Sequence, residues 1–354
     1  MWDTLFTLFD RYGAIPRLLF QTLLRPEEYG TEEVDGALQR RIAKYDRLLQ
    51  GKIVEAVKQD PQIAHSAEYG VNCSHTIYTM SPWKMEPYKY VSDNEYYRLA
   101  TADIGRKVAK ATIAISLKDA QTLYEFLLGQ GPTKTSAGWI FETRMHQIFQ
   151  RGGSFVATKQ DRSKDITIDI NPESCKDFSK VSELGSLLRK EPGSRSIHPA
   201  NIGGYFKPQH GNLPSVDSFA ISKCATTKKP LLVLFQMTVS TEHPVKAEGL
   251  ARIWAEIPQA LRDTTPILVF VVPTDVANAF ALKRQKISDS ANKTSASETS
   301  ASRSSARTTS TGRSSASKPS AGTSSASNPP DFDKWDQYVL AFSNKELWEN
   351  ITPV

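Results

Sequence analysis

The stretches NLPSVDSF (residues 212–219) and PLLVLFQMTVSTEHPVKAEGLARIW (residues 230–254) decide how this chain is read. Leu231 to Phe235 is apolar at every position, as expected of a strand covered on both faces of a sheet. The polarity then changes. Under two-residue alternation Gln236, Thr238 and Ser240 share one face, and Met237 and Val239 stay on the apolar one. Polar groups that gather where a buried strand surfaces mark the usual place for a site in an α/β protein. Leu213 to Phe219 reads as a short preceding strand, followed by a polar break, with Asp217 as its sole acid. A helix is expected from Val245 to Leu261, with Lys246, Leu250, Ile253, Trp254, Ile257 and Leu261 on its sheet-facing side. Pro266 to Pro273 is a second continuous apolar strand. Strand, helix, strand of this kind predicts a right-handed crossover between parallel strands.

Working outward, Ser136 to Gln150 predicts a helix with Ile140, Phe141, Met145, Ile148 and Phe149 on its apolar side. Glu142 and His146 are four residues apart and so neighbours on it. Arg151-Gly152-Gly153 ends this helix, and Phe155 to Ile170 reads as a hairpin with Ile166, Ile168 and Ile170 in strict alternation. A short helix is expected near Val181 to Leu188, and YFKPQHGN (205–212) reads as a loop. Residues 1–60 are helical in pattern, the clearest helix running from Val34 to Val57. Residues 61–130 form a connector with one strand (His75 to Met80), a loop rich in proline and tyrosine (Pro82, Pro87, Tyr88, Tyr90), and helices at Glu95 to Ile115 and Leu117 to Leu128. Exposed aromatics in such a loop can stack on bases or simply cover a core. Residues 131–287 hold the main core. Residues 288–330 are Ser/Ala/Thr-rich without aromatics, unable to form a core, and are expected to be disordered and removable. A strand at Trp335 to Phe342 and a helix at Lys345 to Ile351 follow. Order returning beyond the tract makes it an insertion, and residues 331–354 rejoin the core.

The chain has 354 residues, a net charge of +6 and a pI near 9.0. That charge points toward nucleic acid. Residues 288–330 carry five basic residues and two acids, which is half of the excess, so charge by itself is a weak guide. No apolar run approaches the roughly 20 residues of a membrane span, so no membrane partner is expected. The start, MWDTLFTLFDRYG, lacks a basic region and a cleavage site, and no signal peptide is expected. Cys73, Cys175 and Cys224 are odd in number and widely spaced, which fits a reducing, intracellular compartment.

An acid on one strand beside a polar pair on the next resembles the PD-(D/E)xK nuclease core. The resemblance implies a restriction-endonuclease-like mixed sheet flanked by helices, with a small helical domain ahead of it. It places Glu142 on the first core helix, Asp217 in a Pro-x-x-Asp strand, and Gln236-Met237-Thr238 at the second-acid-x-lysine position. Glu142, Asp217 and Gln236 would then hold Mg²⁺. Thr238 cannot replace the lysine, and Lys246 is expected to stand in for it from the following helix, or else to extend outward at the helix end. Glu242 and His243 are lesser candidates as ligands.

More widely, GWIFETRMHQIFQRGGSF (138–155), NLPSVDSF, LFQMTVSTEHPVKAEGL, PILVFVVP and WDQYVLAF resemble the C-terminal domain of Crinkler-type effectors and the related retrotransposon hot spot proteins. In those, a P-loop ATPase precedes a nuclease-like domain. GAIPRLL (13–19) resembles part of the helical lid of such an ATPase, with Arg17 as its nucleotide-facing arginine, or it is simply a helix N-terminus with proline in its first turn. No GxxxxGK(S/T) is present, and GQGPTKT (129–135) has the wrong glycine spacing, so no ATPase activity is expected of this chain. The resemblance implies Mg²⁺-dependent cleavage of DNA, an upstream ATPase domain as partner, and action in a nucleus, a host's if the protein is secreted. The alternative is a catalytically degenerate nuclease fold that binds nucleic acid or protein.

Overall fold

The computed structural model describes residues 33–59, 78–86, 89–99, 101–129, 134–209, 213, 215–224, 227–281, 283–288 and 330–349, with the backbone alone described for 33–42, 59, 78–86 and 89–99. The lid-like segment with Arg17, the strand start at His75, Cys73, Pro214 and the tract 289–329 lie outside the described residues.

The described residues begin with helix α1 (Glu33–Gln59) and the antiparallel hairpin of β1 (Tyr78–Glu86) and β2 (Lys89–Leu99). Helices α2 (Ala102–Ile115), α3 (Leu117–Gly129) and α4 (Lys134–Gln150) follow. Then come β3 (Gly153–Lys159), β4 (Asp165–Ile170), β5 (Lys176–Phe178), α5 (Leu184–Leu188), β6 (Tyr205–Pro208), β7 (Ser218–Lys223) and β8 (Pro230–Met237). The next elements are β9 (Val245–Lys246), α6 (Ala247–Glu256), α7 (Gln259–Arg262), β10 (Ile267–Pro273), α8 (Thr274–Ala281) and β11 (Ile287–Ser288). The described chain closes with β12 (Asp336–Phe342) and α9 (Asn344–Trp348).

Eight strands form one mixed sheet in the order β4-β3-β12-β10-β8-β7-β6-β5. β8, β10 and β12 run parallel at its centre, while β7 lies antiparallel to β8 and β3 antiparallel to β12. The chain is therefore α/β. The unbroken apolar runs are explained by two cores, one on each face. Val233, Phe235, Val269 and Val271 pack with α2, α3 and α4; Leu232, Leu234, Leu268, Phe270 and Val272 pack with α5, α6, α7 and α8. β12, arriving after the Ser/Ala/Thr tract, pairs between β10 and β3, so the last segment does rejoin the sheet. No helix among the described residues is long and apolar enough to cross a membrane.

Several expected boundaries move. Glu95 to Leu99 is strand, and α2 starts only after Thr101, whose hydroxyl accepts the Ile104 N–H at 3.2 Å and caps the helix. YFKP is strand β6, and α8 had no counterpart in the sequence reading. β7 begins at Ser218 and runs through the residues read as a break, because Phe219, Ala220 and Ile221 are fully buried. The helix expected over 245–261 is divided. Val245 and Lys246 are extended and pair with Ile287 and Ser288, and Ile257, before Pro258, takes an extended conformation (φ −70°, ψ 149°). α2 and α3, read as part of a connector, place Ala109, Ile113, Leu123 and Leu127 in the same core as α4.

Gly152 makes the turn from α4 into β3 with φ +78°, and a Cβ there would lie 2.4 Å from Pro172 Cδ and 2.8 Å from the Ile170 carbonyl. Gly152→Ala is expected to destabilise the protein by about 1–3 kcal/mol from backbone strain alone, read as a lowered denaturation midpoint; an unchanged midpoint would show that this turn relaxes freely. Residues 289–329 contain no Val, Ile, Leu, Met, Phe, Trp, Tyr or Cys. Replacing them with a short Gly/Ser linker is expected to leave thermal stability unchanged, since they have almost no apolar surface to bury; a variant that fails to fold would contradict this.

Candidate active site

Asp217 owes its position to the antiparallel pairing of β7 with β8. Ser218 is opposite Phe235, so Asp217, one residue ahead, comes beside Gln236 where β8 ends. The Asp217 N–H donates to the Phe235 carbonyl at 2.8 Å. Its carboxylate Oδ2 accepts from the Met237 N–H at 2.6 Å and from Gln236 Nε2 at 2.9 Å. No described residue donates to Oδ1, so that oxygen is open to the cleft. With its amide nitrogen turned to Asp217, Gln236 directs its carbonyl oxygen elsewhere.

Glu142 comes to the same cleft from α4 and is only 8% exposed. Its Oε1 accepts from Arg106 Nε at 2.9 Å and lies 3.7 Å from His146 Nε2. His146 Nδ1 is 2.6 Å from Tyr205 Oη, which donates to Ser218 Oγ at 2.8 Å. A line of polar contacts thus ties α2, α4, β6 and β7 together beneath the cleft. Each carboxylate has one oxygen held by protein donors and the other without a donor among the described residues.

The two carboxylates titrate as a pair. Burial, and then the charge of Glu142, push the Asp217 carboxyl well above the usual range, against the pull of the Met237 N–H and Arg106. Burial would also raise Glu142, but the hydrogen bond from His146 and the Arg106 charge outweigh it and hold Glu142 low. Two neighbouring acids in a partly buried site are pushed in opposite directions in this way, the one with the closer cations down and the other up. Burial opposes the charge on Arg106, and Glu142 and Asp217 together overcome it, so Arg106 is held protonated.

The cleft has a volume of about 530 Å³ and is walled by α2 and α4 on one side and by the β8 terminus and the residues up to Lys246 on the other. All four expected site residues, Glu142, Asp217, Gln236 and Lys246, line it. Thr238 and Ser240 line it too, although the Thr238 hydroxyl accepts the Ser240 N–H at 3.1 Å and so shapes the turn after β8. Lys246 departs from its expected setting. It is not on the buried face of a helix but caps α6 with extended backbone, exposed at the rim, and its carbonyl accepts from Ser215 Oγ at 2.6 Å. His243 also lines the cleft, whereas Glu242 is exposed and paired with Lys283 at 2.6 Å.

Among the described residues the cation paired with Glu142 is Arg106, which sequence reasoning missed. It lies 36 residues before Glu142 on a helix whose local pattern shows only amphipathicity, and nothing in that pattern marks one arginine above its neighbours. Lys134 and Thr135, from the GQGPTKT stretch, and Trp139 also line the cleft. Among the described residues no group of three or more His, Cys, Asp or Glu forms a ready-made metal cluster. The set present here is two carboxylates, an amide carbonyl and a guanidinium. It suits a hard cation on its oxygens and an anion beside Arg106. Compared with protein-family models, curated proteins and solved structures, the chain matches none.

Proposed function

We propose that this cleft is a Mg²⁺-dependent phosphodiesterase site of the nuclease kind, acting on nucleic acid, with DNA as the leading substrate. The observation that supports this reading is the meeting of Asp217 and Gln236 at the end of the central strand with Glu142 and Arg106 in one cleft. The donor chemistry fits the ion. Asp217 Oδ1, Glu142 Oε2 and Gln236 Oε1 are hard oxygens, and Mg²⁺ is held by one or two carboxylates with the rest of its sphere left to water and phosphate. Burial and the Glu142 charge both penalise the ionised form of Asp217, and a divalent cation in the cleft would relieve that penalty.

When bound, Mg²⁺ supplies Lewis acidity toward a phosphoryl oxygen and lowers the pKa of water. The remaining work falls to side chains of this chain. The Met237 N–H and the Gln236 amide hold Asp217 in one orientation, as outer partners of a ligand do. Arg106 orients Glu142 and offers its remaining N–H groups to the charge that grows on the phosphate. Lys246, at the rim, attracts the substrate backbone. A restriction-endonuclease-like arrangement of the sheet and an upstream ATPase partner belong to this same proposal, as does a nuclear site of action.

The rival reading, a degenerate nuclease fold that binds without cutting, draws on the Arg106–Glu142 ion pair, which already neutralises one acid. Two measurements separate them: Mg²⁺ binding by calorimetry, and cleavage of labelled single- and double-stranded DNA and of RNA with Mg²⁺ or with EDTA. Saturable Mg²⁺ binding with metal-dependent cleavage is the expected result. Nucleic-acid binding without either would install the rival.

A further inference from the structure

Trp139 is a half-buried tryptophan with one side turned to the cleft. It stands on α4 one residue after Gly138 and three before Glu142, and it lines the cleft. Its six-membered ring is seated directly on the backbone of Gly105 in α2. A Cβ at position 105 would fall 2.0 Å from Cε3, 2.4 Å from Cζ3 and 2.8 Å from Cδ2 of the indole. Only the absence of a side chain at 105 lets the ring lie there. Trp139 forms no ring pair with the core aromatics among the described residues, and its indole N–H has no acceptor among them. Trp254 and Trp348 also lack an acceptor for theirs, but those N–H groups are buried. The ring is backed by one helix and presented to the cleft, with Arg106, Lys134 and Lys246 on the same walls.

A rigid aromatic face amid cations is the composition of sites that hold single-stranded nucleic acid, where bases stack on rings and cations follow the phosphates. We propose that Trp139 is a stacking platform for an unpaired base, so that the cleft takes single-stranded or locally opened nucleic acid. Arg106, Lys134 and Lys246 hold the flanking phosphates. A paired base keeps both faces in its own stack and offers none to Trp139, so intact duplex should enter poorly. Gly105 is a positioning residue in this scheme, since it seats the ring without touching the base. The inference rests on the nucleic-acid reading of the cleft but not on catalysis.

The test is fluorescence-anisotropy binding of the full chain, in EDTA so that nothing is cut. The ligands are labelled thymidine oligonucleotides of about a dozen residues, abasic strands of the same length, and a blunt duplex. The wild type should bind the thymidine strand about tenfold more tightly than the abasic one, the scale of one base stacked on one ring, and more tightly than the duplex. Trp139→Ala should abolish the difference between thymidine and abasic strands while salt-sensitive binding of both remains. Trp139→Phe should retain most of it. Gly105→Ala should reduce it by displacing the ring, with circular dichroism confirming the fold. A wild type that does not distinguish base from abasic strand, or a Trp139→Ala variant that still does, overturns the proposal. The two readings fail separately. Base-dependent binding without any Mg²⁺-dependent cleavage removes the enzyme and keeps the platform; cleavage with base-independent binding does the reverse.

Discussion

Asp217→Asn is expected to abolish Mg²⁺-dependent cleavage, by at least about 10²–10³-fold, the scale of losing one electrostatic group aimed at the reacting centre. The same change should leave the fold as stable as before or slightly more so. In the folded protein this carboxyl is already held toward its protonated form by burial and by Glu142, so its charge is a burden on folding. Asparagine keeps an oxygen for the Met237 N–H and removes the like-charge conflict. The measurement is a pair: single-turnover cleavage under saturating Mg²⁺, and a denaturation midpoint for the same preparation. Cleavage surviving at the wild-type rate removes Asp217 from the site, and a lost midpoint would show that the carboxylate is structural.

The second large effect concerns the missing lysine. Arg106→Gln is expected to lower cleavage by about 10²–10³-fold, and Lys246→Ala by about tenfold or less, mostly through weaker substrate binding. Arg106 touches Glu142 at 2.9 Å, and the charges of both acids act on it. Lys246 is solvated at the rim, where water screens its charge, and no acid lies within ion-pair range of it among the described residues. Glutamine at 106 preserves a hydrogen bond to Glu142, so the loss reports charge and not the collapse of the pair. The comparison is read from kcat and KM separately, since a rim cation moves KM and a cation at the reacting phosphate moves kcat. The reverse order would restore Lys246 to the role the sequence reading assigned it.

The α/β class, the helix over residues 136–150, the hairpin of Phe155 to Ile170 and the return of the final strand to the sheet were all legible in the chain. Each rests on a local regularity: a continuous apolar run, a helical period, a two-residue alternation, a glycine at a turn. Asp217 and Gln236 were legible for the same reason, as polar residues interrupting apolar strands. What misled was the helix after the central strand. Lys246 fits its apolar side by spacing alone, but Val245 and Lys246 are drawn into extended pairing with Ile287 and Ser288, some 40 residues further on. No local pattern contains that partner.

By itself the sequence determined which segments are strands or helices buried on one side or both, because burial leaves a period in the order of side chains. It also determined that residues 289–329 have almost nothing apolar to contribute to a core. Only the tertiary structure decided which charges meet. Arg106 reaches Glu142 because α2 packs across α4, and Asp217 reaches the Met237 N–H because β7 runs antiparallel to β8 in one particular register. Trp139 faces the cleft because Gly105 leaves room beneath its ring. Electrostatics and close packing act through space over a few ångströms, and separation along the chain sets no limit on them. The residues that give the cleft its chemistry are therefore drawn from positions 105 to 246 and carry no shared mark in the order of amino acids.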